Sequence, residues 1–86
     1  MEKVYSIEYV PSAKKSLNAL PKNAHKNIAK AIHKLKANPR PPGCEKLKTR
    51  DAFRIREGDY RVIYEIHDAV LIVLVIKIAH RREVYR

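Results

Sequence analysis

Apolar and polar residues alternate along Phe53-Arg54-Ile55-Arg56-Glu57, pause at Gly58-Asp59, and alternate again along Tyr60-Arg61-Val62-Ile63-Tyr64. A period of two predicts two strands, and the intervening Gly-Asp predicts a two-residue hairpin loop. In that register Glu57 opposes Tyr60, Arg56 opposes Arg61, Ile55 opposes Val62, Arg54 opposes Ile63 and Phe53 opposes Tyr64. Side chains alternate between the faces of a sheet, so Phe53, Ile55, Val62 and Tyr64 share one face. Arg54, Arg56 and Arg61 share the other. Like charges directly opposite each other destabilise a sheet. Two readings follow: a solvated basic face, or a site for an anion such as phosphate, which guanidinium groups bind well.

The remaining pattern supplies a scaffold for this hairpin. Val4 to Val10 is rich in β-branched and aromatic residues and suits a first strand. Pro11-Ser12 ends it, with Ser12 as a candidate cap for a short helix beginning at Ala13 and carrying Leu17 and Leu20. Pro21 breaks that helix and fits the opening of the next. The second helix, about Lys22 to Ala37, has Ala24, Ile28, Ala31, Ile32 and Leu35 at helical spacing and ends at Asn38-Pro39. A proline-rich loop and a short extended segment (Glu45 to Arg50) lead to the hairpin, and His67-Asp68-Ala69 makes a second turn. Val70 to Ile76 is apolar on both faces, as in a central strand. The order is β-α-α-β-β-β: one α+β domain over residues 1–86, a small antiparallel sheet with two N-terminal helices on one face. Two helices cover one side, leaving Ile72, Leu74 and Ile76 either partly exposed or covered by loops, the C-terminus or a partner.

Charge changes this picture. The 86 residues carry a formal net charge of +10, which favours a polyanionic partner. No Asp or Glu occurs from Tyr9 to Cys44, a span with eight Lys or Arg, so most of the excess lies in the helical half. Lys22, Lys26, Lys30 and Lys34 recur every four residues. Like charges at that spacing cost helix stability, and no acid is interspersed to relieve them. Contact with a nucleic-acid backbone explains the row. The single cysteine, Cys44, excludes an internal disulfide and fits a reducing compartment. The N-terminus lacks a signal-peptide core, and the longest apolar run is too short for a bilayer. A cytoplasmic protein without membrane contact is expected. His25 and His33 are poorly spaced for chelation, so no metal is expected.

After Lys77-Ile78-Ala79 comes His80-Arg81-Arg82-Glu83-Val84-Tyr85-Arg86. This tail, the Gly-Asp-Tyr-Arg hairpin, Leu20-Pro21, Asn38-Pro39 and Leu47 together resemble the RelE family of bacterial toxins, within the RelE/ParE superfamily. The resemblance covers nearly the whole chain and implies a compact sheet with helices on one face and an open basic face. It implies a cytoplasmic, ribosome-dependent mRNA endoribonuclease that enters the A site, contacts ribosomal RNA, inhibits translation and is neutralised by a RelB-like antitoxin. The family's reaction uses no cofactor or metal. The 2′-hydroxyl attacks the adjacent phosphate and yields a 2′,3′-cyclic phosphate and a 5′-hydroxyl.

By that resemblance Arg61 holds the scissile phosphate, Arg81 contacts it and protonates the leaving oxygen, and Tyr85 stacks on or orients the nucleotide. Arg54 and Arg56 stand where well-studied members carry two lysines, one implicated as general base. A guanidinium is a poor proton acceptor, so Arg54 and Arg56 read as phosphate clamps. His80 is a candidate proton carrier, since imidazole side chains exchange protons readily in catalysis. Lys22, Lys26, Lys30 and Lys34 are candidate RNA contacts. Two alternatives share the hairpin: a ParE-like inhibitor of DNA gyrase without nuclease activity, and an inactive RNA-binding relative.

Overall fold

The computed structural model describes residues 3–80; Arg81 and Tyr85 lie outside the described residues. The elements run β1 (Ser6–Tyr9), α1 (Pro11–Asn18), α2 (Lys22–Lys34), β2 (Glu45–Lys46), β3 (Phe53–Glu57), β4 (Tyr60–His67) and β5 (Ile72–His80). The expected α+β fold, with two helices on one face of the sheet, is present. The sheet has five strands in the order β1-β5-β4-β3-β2. It is mixed rather than wholly antiparallel, because β1 joins the C-terminal strand in parallel, with Ser6 opposite Ile72 and Tyr9 opposite Val75. The helical connection and the later strands lie between these partners, so no local turn signal marks the pairing.

The β3–β4 register is the one expected, from Phe53 opposite Tyr64 to Glu57 opposite Tyr60. Gly58 alone in the loop has a positive φ, 60°, a conformation that glycine adopts without Cβ strain. The turn between β4 and β5 is less comfortable. Leu71 sits at φ 55°, costing roughly 1–2 kcal/mol for a residue with a Cβ. Its carbonyl accepts the Ser6 N–H at 2.8 Å, so the strained residue also fastens β1.

The helices differ from expectation at their ends. In α1, Pro11 occupies the first turn and Val10 the N-cap position without a side-chain cap, so Ser12 does not cap it. An eight-residue helix is marginal alone; α1 is held by burial of Ala13 and Leu17, one turn apart against β5. Helix α2 ends at Lys34, and Leu35 and Lys36 donate to carbonyls only three residues back. Buried Ile28, Ile32 and Leu35 join Tyr5, Leu17, Val62, Tyr64, Val73 and Val75 in one core. Each such aliphatic side chain contributes about 1.5–3 kcal/mol on burial. Ile72, Leu74 and Ile76 are half-buried.

One irregularity in β5 decides where side chains point. Tyr64 pairs with Val75 but Ile63 pairs with Lys77, so Ile76 is an extra residue, a β-bulge. Before it Val73 and Val75 face the helices; after it Ile78 does. Without the bulge, Lys77 would be turned into the core, where an unpaired charge is costly. With it, Lys77 and Ala79 turn to the arginine face.

The loop after α2 is pinned to the sheet. Tyr64, fully buried, donates its hydroxyl to the Pro39 carbonyl at 2.7 Å. Burial, with Cys44 nearby, pushes its phenol well above the usual range, so it remains a donor at every physiological pH. Next to it, Arg40 packs 5.4 Å over the Phe53 ring and reaches Asp68 at 3.1 Å, while Tyr5 also donates to Asp68. Replacing Tyr64 by Phe leaves the Pro39 carbonyl without its partner. The expected cost is about 1–3 kcal/mol, measured as a lowered urea midpoint with unchanged slope; an unchanged midpoint would show that the loop is held without this bond.

Candidate functional site

The arginine face is built from three strands. Arg56 on β3 lies directly across from Arg61 on β4, and Arg54 lies two residues along β3 on the same face. Arg61 is only 4% exposed. On its other side Ala79 of β5 is its register partner, and so small a residue leaves room for a long side chain along the sheet. A guanidinium keeps its charge when buried, so the fold fixes a cation at this position. Arg54 is mostly buried and Arg56 is exposed.

Part of the charge on this face is answered from within the chain. The two-residue strand β2 pairs with β3, placing Glu45 opposite Arg54. The Glu45 carboxylate accepts from Arg54 Nη2 at 2.7 Å and lies 3.8 Å from Arg56 Nη2. The hydrogen bond and charge of Arg54, with Arg56 and Arg61 beyond it, hold the Glu45 carboxyl below its usual range. Arg54 Nε is buried and without a hydrogen-bond partner. Sequence reasoning missed Glu45, because a strand of two residues has no periodicity to read.

The lysine row of α2 is exposed throughout, at Lys22, Lys26, Lys30 and Lys34. It is not isolated from the arginines. Lys30 and Lys34 line a cleft of about 370 Å³ whose opposite wall includes Ile55 and Arg56. Cationic side chains thus continue from α2 around the edge of β3 to the arginine face, a path suited to successive phosphates of a nucleic acid.

His80 does not join this group. Past the bulge it pairs with Tyr60, on the helix side of the sheet. The two rings meet edge to face at 5.1 Å, beside Leu20 and Pro21. The structure brings together Arg54, Arg56, Arg61 and, through the cleft, Lys30 and Lys34. It sets His80 on the opposite side. Among the described residues, no helix is long and apolar enough to cross a membrane.

A family model described as the ParE toxin of type II toxin–antitoxin system, parDE, matches residues 7–85. Solved structures match over most of the chain. The RelE–RelB complex of Pyrococcus horikoshii OT3 aligns with a TM-score of 0.81 and 27% identity, covering 91% of this chain and 96% of the other. The RelBE2 toxin–antitoxin complex of Mycobacterium tuberculosis aligns with a TM-score of 0.79 and 25% identity, covering 91% and 99%. The isolated RelE toxin of E. coli aligns with a TM-score of 0.79 and 26% identity, covering 94% and 90%. No curated protein matches the sequence.

The Glu45 environment is directly measurable. In a carboxyl-detected NMR titration, Glu45 is expected to lose its proton below the ordinary range for glutamate. Arg54→Ala removes the largest cause of that shift, so the midpoint should rise. A midpoint that stays put in Arg54→Ala would place the carboxylate elsewhere.

Proposed function

Because the chain belongs to the ParE toxin family of type II toxin–antitoxin systems, we propose that it is a ribosome-dependent mRNA endoribonuclease that inhibits translation. The observation that carries this reading is the convergence of Arg54, Arg56 and buried Arg61 on one sheet face. That cluster can hold a phosphate and stabilise the charge that builds on it in the transition state. Strong similarity to RelE toxins supports the same direction.

In the proposed reaction the mRNA 2′-hydroxyl gives up its proton as its oxygen attacks the adjacent phosphorus, and the 5′-oxygen takes up a proton as its bond to phosphorus breaks. A 2′,3′-cyclic phosphate and a 5′-hydroxyl result. Arg61, rigid and charged, is the principal stabiliser of the phosphorane. Arg54 and Arg56 clamp flanking oxygens and are unsuited to accept the 2′-hydroxyl proton. Arg81 and Tyr85 follow β5 directly; the proposal gives Arg81 the phosphate and the leaving oxygen, and Tyr85 the base. His80, across the sheet from the arginines, has no phosphate contact in this scheme and is retained as a proton carrier to be tested. The row Lys22, Lys26, Lys30 and Lys34 binds ribosomal RNA, and a RelB-like antitoxin covers the toxin. Cleavage needs no metal or cofactor in this scheme.

The family match leaves a second reading open, inhibition of DNA gyrase without nuclease activity. Primer extension on ribosome-bound mRNA separates the two. Cleavage within codons, lost in Arg61→Ala, supports the nuclease; intact transcripts with induced DNA damage support the gyrase inhibitor. Since Arg61 is buried, its variants need an independent check of folding by circular dichroism. Normal growth arrest by a folded Arg61→Ala protein would remove Arg61 from the mechanism. Variants at Arg81, Tyr85 and His80 in the same assay test their roles.

For the helix, Lys26, Lys30 and Lys34 replaced together by Gln should weaken ribosome binding. The slope of log affinity against log salt should fall by about 2, from three lost phosphate contacts. An unchanged slope would exclude this row from the interface.

A further inference from the structure

Arg54, Arg56 and Arg61 repel one another, yet the sheet holds them on one face. Glu45 reaches them from the edge strand β2 and takes the position an acidic ligand would take, 2.7 Å from Arg54 Nη2 and 3.8 Å from Arg56 Nη2. Its fit is incomplete. The carboxylate engages Arg54 through Nη2, whereas the buried Nε of the same guanidinium has no partner. A side-on anion can serve Nε and Nη2 together, and phosphate has oxygens to spare for Arg56. The Glu45 side chain is 53% exposed and rides on a strand of only two residues, so it can swing to solvent without disturbing the core.

We propose that Glu45 is an internal stand-in for a phosphate, displaced when an RNA phosphate binds Arg54 and Arg56. This rests on the reading of the arginine face as an RNA site and adds a regulating residue to it. While Glu45 is in place, the face is neither bare nor fully cationic, and every RNA strand has to compete with a carboxylate that is always present. The competition lowers affinity for loosely held RNA. It matters less for a strand whose phosphate is already held against the face, as in a larger assembly.

The test uses the full chain and a fluorescein-labelled 2′-O-methyl oligouridine, which cannot be cleaved through its 2′-oxygen, with binding followed by anisotropy at low salt. Glu45→Gln should tighten binding roughly fivefold, the scale of one exposed ion pair. Glu8→Gln makes the same change of charge on β1, at the far edge of the sheet, and should alter binding less than twofold. The gain from Glu45→Gln should vanish in an Arg54→Ala background. If wild type binds and Glu45→Gln binds no tighter, or Glu8→Gln tightens binding equally, the stand-in role is overturned and the RNA site survives. If neither wild type nor Glu45→Gln binds the RNA, the RNA reading of the face falls with it.

Discussion

Strict alternation in β4 is the constraint on which the rest of the structure depends. Val62 and Tyr64, both fully buried, belong to the core, and Arg61, the residue just before Val62, belongs to the opposite face. A slip of one residue would exchange these sets and put a guanidinium among Ile28, Ile32 and Leu35. The energy of burying the core side chains therefore also fixes the arginine. The bulge in β5 preserves the same division where the sequence alone would violate it, since Ile76 absorbs one position and keeps Lys77 out of the core.

Electrostatics on the outer face follows from that division. Burial of the apolar residues forces like charges together at Arg56 and Arg61, and the edge strand partly relieves them with Glu45. The pinned loop before β2 belongs to the same economy. Tyr64 holds Pro39, Arg40 bridges Phe53 and Asp68, and the chain then turns into Glu45. One tyrosine thus touches both the interior and the path that delivers the carboxylate.

The hairpin was legible in the sequence because its information is local. Twelve consecutive residues carry the alternation, and Gly58 supplies the positive φ that the loop requires. The buried positions of α2 were legible for the same reason, although its last turn tightened and ended at Lys34. Parallel pairing of β1 with β5 was not legible, because nothing in Ser6–Tyr9 specifies a partner more than sixty residues away. The site was legible as a set of arginines and lysines. Its internal carboxylate was hidden in a two-residue strand, and the separation of His80 from the arginines depended on a bulge that no residue pattern announced. Arg81 and Tyr85 stand outside the described residues and rest on resemblance.

The parallel pairing of β1 with β5 has a consequence for biosynthesis. Val73, Val75 and Ile78 of β5 belong to the core, and β1 packs beside them at the sheet edge, so the hydrophobic interior cannot close until β5 has been made. Long-range closure of this kind comes late in folding. The β3–β4 hairpin can pair earlier, but its arginines lack the Ala79 side of their frame until β5 arrives. A chain that stops before β5 would therefore carry these arginines without the strand that frames them in the folded sheet.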